Sequence, residues 1–485
     1  MNFRRKLWWA QHKNEVYKYG TILSLVLIVT ISIIYFTYSK FTSKNEMTAY
    51  ETTVEPFIKN DYFIASYIDG EWSNEIPGKN DGYVVDKIVC DNGATGTWDN
   101  EEWGINIRNA TKKIKCGVYF KPNVAKQIVE LAASDTTNFA LDDPDNNIRY
   151  FGSNPNNYVY FNCSDYSNQS DSTCEKWRII GVFNNITKAD GTKEKLVKII
   201  RNDTIGNFAW DYKENGVGTS TSNDGSNDWS DSQLMMMLNP TDYLKSGYTI
   251  DNNIVKDSKG QAIYQNMGSY YNGTLGCRPV SITKDSSFSC TSKDFTSTGL
   301  KNDSTRNAIE SVTWSLGGFT RNGISAAALY ADERGTTVYS ERPTTWIGKI
   351  GLMYPSDFAY ATAGGRAGRK NKSRSDCLSS MLGTLDSMTA MACYGSDYLF
   401  LGGNLNEEIK DGDQTFIYPF LGFWTLTPYS SKSDKVYKVK SPSNLNDSNY
   451  IHQNLVVRPT LYLKSNITII DGAGSETNPY QLSVQ

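Results

Sequence analysis

The chain has 485 residues, a formal net charge of -3 and 13% aromatic residues, among them 31 Tyr and 11 Trp. Lysines and arginines are interspersed with about as many acids, so no basic stripe or zinc-finger spacing marks a nucleic-acid binder. The apolar share is too high for wholesale disorder. Short β-branched runs set among Tyr, Asn, Ser and Gly favour a loop-rich, strand-rich fold of two or three domains.

Residues 1–18 read as a short cytoplasmic tail, with Arg4, Arg5, Lys6, Lys13 and Lys18 set against Glu15 alone. Residues 20–38 carry no charge and would span roughly 28 Å at helical rise. This predicts a transmembrane helix over 19–39 that meets the lipid bilayer through 20–38. The basic flank predicts a single-pass signal-anchor in the cell membrane, with the N-terminus cytoplasmic and the bulk extracellular. A cleaved signal peptide is the alternative, but Tyr35, Phe36 and Tyr38 fit an interfacial belt better than a peptidase site. Residues 40–60 read as a stalk.

A small β-sandwich-like module is expected over 61–120, with strands at Tyr83–Cys90, Trp103–Ile107 and Lys113–Phe120 joined by hairpin turns at Asp91-Asn92-Gly93 and from Asn109. Trp72, Trp98 and Trp103 suit the core of so small a unit better than a binding surface. The run Asn123–Ser134 has one apolar face and predicts a helix within a linker over 121–139. One large domain is expected over 140–465, and a β tail over 466–485. Within the large domain, Trp177–Phe183, Lys195–Arg201, Phe423–Pro428, Lys435–Lys440 and Val456–Leu463 read as extended. Gln233–Leu238 reads as a helix opened by Ser230, Asp231 and Ser232. Weaker helical signals cover Thr305–Ser315 and Ser325–Tyr330.

All eight cysteines lie beyond residue 39: Cys90, Cys116, Cys163, Cys174, Cys277, Cys290, Cys377 and Cys393. Their even count favours disulfides over zinc, because only His12 and His452 are present as histidine partners. Neighbour pairing, 90–116, 163–174, 277–290 and 377–393, closes the shortest loops.

Chemistry is thinly signalled. Asp142, Asp143 and Asp145 could ligate calcium, but they lack the twelve-residue loop spacing and suit a capped turn. No nucleophile elbow accompanies His452, and Glu310, Glu333 and Glu341 are only nominal carboxylate candidates. No catalytic residue, cofactor or metal site is assigned. Tyr150, Tyr158 and Tyr160 beside Asn156-Asn157, and Trp424, Tyr429, Tyr437 and Tyr450, suggest aromatic–amide surfaces for sugars or protein. Trp177, Trp314 and Trp424 sit in apolar runs and are expected in the core, and Arg458 reads as a buried arginine held by an acid or by carbonyls.

The strings WRIIGVF (177–183), NDWSDSQLMMMLNP (227–240), IGLMYPSDFAYA (350–361), FWTLTPYSS (423–431), VVRPTLYLKSNITI (456–469) and GAGSETNPYQL (472–482) resemble a group of exported, membrane-anchored surface proteins of gut Firmicutes and related bacteria. Their outer domain, of unknown function, is similar to the C-type-lectin-like fold shared with formylglycine-generating enzymes. The resemblance implies a loop-rich α+β, C-type-lectin-like outer domain preceded by one transmembrane helix and a small all-β module. It implies fold-defining roles for Trp177, Arg178, Trp229, Leu234, Leu238, Asn239, Trp424, Leu426, Pro428, Arg458 and Pro459, and leaves chemistry blank. Cys377 and Cys393 do not align to the enzymes' cysteine pair.

The reading is a surface-anchored ligand-binding or adhesion protein recognising glycan or protein. The alternatives are a structural component of an envelope or pilus-like assembly and an enzyme acting on cell-surface polymers. A broad apolar face on the small β module would favour assembly; a concave aromatic–amide patch would favour ligand binding.

Overall fold

The computed structural model describes most of residues 62–484 and part of 12–30. Outside the description lie, among others, 31–61, 212–224, 240–248, 266–299, 381–392 and 401–406. Residues 1–60 and 61–485 are two separate compact units.

The first unit corrects the membrane reading. Among the described residues no helix is long and apolar enough to cross a membrane. A span needs about 20 consecutive, predominantly apolar residues. The helical positions described here fall between His12 and Thr30 with gaps, and include Lys13, Asn14, Lys18 and Ser24. The Thr30 hydroxyl donates back to the carbonyls of Val26 and Leu27. The rest of the expected 19–39 helix, including 31–39, lies outside the described residues. With that helix go the single-pass signal-anchor topology, the bilayer contact through 20–38, and the cell-membrane placement with a cytoplasmic N-terminus and an extracellular bulk.

The second unit opens with six strands: β1 (Tyr62–Ile68), β2 (Glu71–Ser73), β3 (Tyr83–Cys90), β4 (Thr95–Asp99), β5 (Gly104–Arg108) and β6 (Ile114–Pro122). Four of them form a sheet of order β2-β1-β6-β3, and β4 and β5 pair with each other. The turn at Asp91-Asn92-Gly93 therefore does not join two paired strands. β3 instead pairs antiparallel with β6, and Cys90 stands opposite Cys116. Strand alternation then divides β6 between two faces. Ile114, Cys116, Val118 and Phe120 are buried. Lys115, Gly117, Tyr119 and Lys121 point to the other side. The buried face packs against Ala94, Ile105 and Ile107 of the β4–β5 segment.

The helix Val124–Ser134 follows, and the Asn123 side chain accepts from the Lys126 amide to cap it. Beyond it come β7 (Phe139–Ala140), β8 (Ile148–Tyr150), β9 (Tyr158–Phe161), β10 (Glu175–Thr187) and β11 (Lys193–Arg201). They build a seven-stranded sheet in the order Ile350–Gly351, Thr460–Tyr462, β11, β10, β8, β7, with β9 also on β10. Trp177–Phe183 is buried without interruption, the pattern of a strand covered on both faces. A five-stranded sheet joins Asn207–Ala209, Asn454–Val456, Phe423–Pro428, Lys435–Lys440 and Asn444–Tyr450. The segment Thr305–Ser315 divides into a helix at Asp303–Asn307 and a strand at Val312–Ser315.

The fold is thus mixed α+β, but the C-type-lectin-like expectation is corrected. The seven-stranded sheet is an open path with Ile350–Gly351 and β7 at its ends, and no closed lectin-like domain is identified among the described residues.

Three disulfides are formed among the described residues: Cys90–Cys116, Cys163–Cys174 and Cys377–Cys393. Cys277 and Cys290 lie outside the description. Cys90–Cys116 ties the edge strand β3 across a separation of 26 residues, a loop whose closure is worth about 3 kcal/mol. A Cys90→Ser/Cys116→Ser variant is expected to lose about 2–4 kcal/mol. Amide exchange in β3 and β6 should accelerate while β10 and β11 keep their protection.

Candidate functional site: an exposed aromatic row

On the uncovered face of the N-terminal sheet, register places four side chains side by side. Tyr67 of β1 stands opposite Trp72 of β2. Tyr67 also stands opposite Tyr119 of β6, and Tyr119 opposite Lys87 of β3. Ring centroids lie 5.1 Å apart for Tyr67–Trp72, 5.3 Å for Tyr67–Tyr119 and 5.4 Å for Trp72–Tyr119. The Lys87 ammonium sits 4.5 Å from the Tyr119 ring centroid, the attraction of a cation to a ring face. The three centroids stand at the corners of a near-equilateral triangle, because the indole leans across β1 toward β6, so the rings form one compact cluster with Lys87 at its edge.

The neighbouring row of the same face is low: Ala65 stands opposite Gly117, and Gly117 opposite Val89. Gly117 is needed there, because a Cβ at that position would meet the tip of the Trp72 ring at 2.7 Å. The indole therefore rests on bare backbone. Trp72 is 56% exposed, Phe63 51% and Val89 54%. Lys115 and Lys121 lie on this face too, and Lys121 is paired with Asp86 at 2.9 Å.

Trp72 thus departs from its expected core role. Trp98 and Trp103 are partly buried, edge-to-face at 5.2 Å, and both pack against Phe120. The aromatic–amide surfaces expected elsewhere turn inward: Tyr150, Tyr158, Tyr160, Trp424 and Tyr437 are all buried. Of that group only Tyr450 is exposed, at 42%, and its ring stacks with His452. Tyr67, Tyr119 and Lys87 were missed. Pairing β1 with the alternating run KCGVY in β6 would have shown them, but β1 was not expected as a strand.

The motif residues are interior. Trp177, Trp229, Leu234, Leu238, Trp424 and Leu426 are each at most 1% exposed. Asn239 donates to the Ile350 carbonyl and accepts from the Ile350 amide, which fastens the end of its helix to the large sheet. Pro428 ends the strand Phe423–Pro428, and the Pro459 carbonyl accepts from the Arg201 amide. Arg178 donates to the Asn157 side chain at 2.6 Å and lies over the Tyr158 ring. Arg458 donates to the carbonyls of Arg201 and Leu399, with no carboxylate partner among the described residues.

The other concentration of charge is a closed network. Arg149 donates to Asp143 at 2.6 Å and to Asp357 at 3.0 Å, and Lys198 to Asp357 at 2.5 Å. Burial works to raise the Asp357 pKa, but the Lys198 and Arg149 cations outweigh it and hold the carboxyl at about 2. Burial pushes Lys198 down to about 8 against the pull of Asp357. Glu333 accepts from the amide and hydroxyl of Ser356, and burial lifts it to about 7. These side chains are fully buried and face one another, so the network braces the fold and offers no reachable carboxylate. Asp143 also accepts from the Asn147 amide in a turn, and among the described residues no group of acids, His and Cys is arranged to hold a metal ion.

No family model, curated protein or solved structure matches this chain. The absence of a membrane-crossing helix among the described residues overturns the expected membership in an exported, membrane-anchored surface family.

Proposed function

We propose that this protein is a binding protein whose aromatic cluster, Trp72, Tyr67 and Tyr119 with Lys87, takes an acidic polysaccharide. The observation that carries the reading is that cluster: three mutually packed rings, Trp72 exposed and Tyr67 and Tyr119 half-buried among the described residues, with the indole lying over Gly117. Ring faces stack on the apolar faces of sugars, and Lys87 and Lys115 supply cations for carboxylates.

With large apolar side chains at ~150–250 Å² each, the exposed parts of Trp72 and Phe63 alone sum to about 200 Å², a concentration of apolar surface of the kind that marks functional patches on monomers.

Native electrophoresis through gels containing polygalacturonate tests the reading. The protein is expected to be retarded, less so with added salt as the lysine contribution is screened. Trp72→Ala should lose at least tenfold in affinity and Lys87→Ala less. Unretarded migration in polygalacturonate, or equal retardation of the Trp72→Ala variant, would refute it. So would a concentration-dependent dimer abolished by Trp72→Ala, which would assign the face to self-assembly.

A further inference from the structure

The interior network sets an amine against a carboxyl in a dry, aromatic enclosure. Lys198 of β11 is 0% exposed and donates to Asp357 Oδ2 at 2.5 Å, across 159 positions of chain. An ammonium carries three donors, yet Asp357 is the one hydrogen-bond partner of Lys198 Nζ among the described residues. The rings of Tyr354, Phe183, Trp314 and Tyr462 stand around Nζ, with centroids at 4.4, 5.3, 5.4 and 5.6 Å. Such an enclosure disfavours the ammonium, and desolvation brings Lys198 down to about 8 against the pull of Asp357. The neutral amine is a nucleophile.

The carboxyl is fixed and polarised. Asp357 Oδ1 receives Arg149 Nη1 at 3.0 Å, and Oδ2 receives the Tyr354 amide at 3.0 Å. These donors are placed to hold negative charge as it develops on oxygen during attack at Cγ. Groups held in contact in this way react with effective molarities of ~10⁵–10⁸ M. The same donors, with Lys198, keep the carboxyl at about 2. The reactive form, a neutral amine beside a neutral acid, is therefore a small fraction, reached by moving one proton from Nζ to Oδ2. Reaction follows folding slowly, and until it completes the two groups behave as the ion pair described above.

We propose that Lys198 and Asp357 condense into an intramolecular amide, a covalent bond from Lys198 Nζ to Asp357 Cγ that ties β11 to the helix Pro355–Tyr360. The Nζ lone pair forms the new bond, the Cγ–Oδ2 bond breaks, and Oδ2 leaves as water with two protons that began on the ammonium. Nothing is oxidised or reduced. Oδ1 remains as the amide oxygen on Arg149, whose charge is still matched by Asp143. Two buried charges disappear, and the cost of their desolvation with them. Glu333, bonded to Ser356 beside Asp357 and lifted to about 7 by burial, is a proton source on the carboxyl side. The bond uses no residue of the aromatic cluster, so either proposal can fail without the other.

Mass spectrometry of the full chain, kept folded near pH 6 over weeks and then reduced, tests it. A species lighter by one water molecule should accumulate, and its tryptic digest should contain the Lys198 peptide joined to the Asp357 peptide. Lys198→Met, which retains the Asp357–Arg149 pair, should give neither, and the same holds for wild-type chain kept unfolded in guanidinium. Absence of the joined peptide from the folded wild type would overturn the proposal, whether the mass is unchanged or shows a water loss that Lys198→Met shares, the mark of succinimide formation at another aspartate.

Discussion

Asp357→Ala is expected to be among the most destabilising single substitutions in the chain, at on the order of 3–5 kcal/mol. Asp357 receives Lys198 at 2.5 Å and Arg149 at 3.0 Å, and none of the three side chains is more than 1% exposed. Removing the carboxylate leaves two buried cations, of which only Arg149 retains a partner, Asp143. Asp357 also accepts from the Tyr354 amide at the start of the helix Pro355–Tyr360, so a helix cap is lost as well, worth about 1 kcal/mol. Lys198→Met should cost much less, because Asp357 keeps Arg149 and no orphaned cation remains. Chemical denaturation of the two variants checks this order. A loss under 1 kcal/mol for Asp357→Ala would show that the network is not closed as described.

The second large effect is in pH. Asp397 is 3% exposed, accepts a long 3.4 Å bond from the Ala363 amide and interacts with the Thr362 side chain, and among the described residues its Oδ2 has no partner. Burial raises its pKa to about 8, and burial raises Glu333 to about 7. Both carboxyls bind protons more tightly in the folded state than in the unfolded chain. Their contribution to stability is fully present below about pH 4 and is lost as pH rises through 7 and 8. Asp357 has the opposite sign: its contribution is present above about pH 4 and is lost as pH falls toward 2. Stability should therefore peak near pH 4–5 and decline toward pH 8. Ionising a carboxyl held near 8 instead of near 4 costs the fold on the order of 5 kcal/mol by pH 8. Asp397→Asn should match the wild type at about pH 4, exceed it at pH 8, and flatten the decline. Thermal melts across pH 4–9 read this directly, and a parallel decline in both proteins would contradict it.

Where local pattern dictates local structure, the sequence was informative. Tyr83–Cys90, Gln233–Leu238, Phe423–Pro428 and Lys435–Lys440 occupy the expected spans, because period and caps are set within a few residues. The helix after Asn123 was legible for the same reason. What failed depended on distant partners. Tyr67 and Tyr119 form a row only because β1 and β6 run parallel, a pairing made across some fifty residues. Tyr158 and Tyr160 looked like surface tyrosines beside asparagines, yet β9 lies against β10 and both are buried. Trp72 and Trp98 are chemically alike; which one faces solvent depends on which sheet face the β4–β5 hairpin covers.

The charged residues divide in the same way. Arg458 could be read as buried from its apolar neighbours, and its carbonyl partners follow from the strand end beside it. The network of Asp143, Arg149, Lys198, Glu333 and Asp357 joins residues more than 200 positions apart, and no local signal announces it. Its side chains are spent on one another, so the exposed chemistry falls to the aromatic cluster of the N-terminal sheet.

Oxidative footprinting of tryptophan on the intact protein tests the central claim most directly. With limiting N-bromosuccinimide, Trp72 should oxidise ahead of Trp177, Trp229, Trp314 and Trp424, and polygalacturonate should protect it in a saturable, salt-sensitive way. Unchanged oxidation of Trp72 at every polygalacturonate concentration would contradict the account.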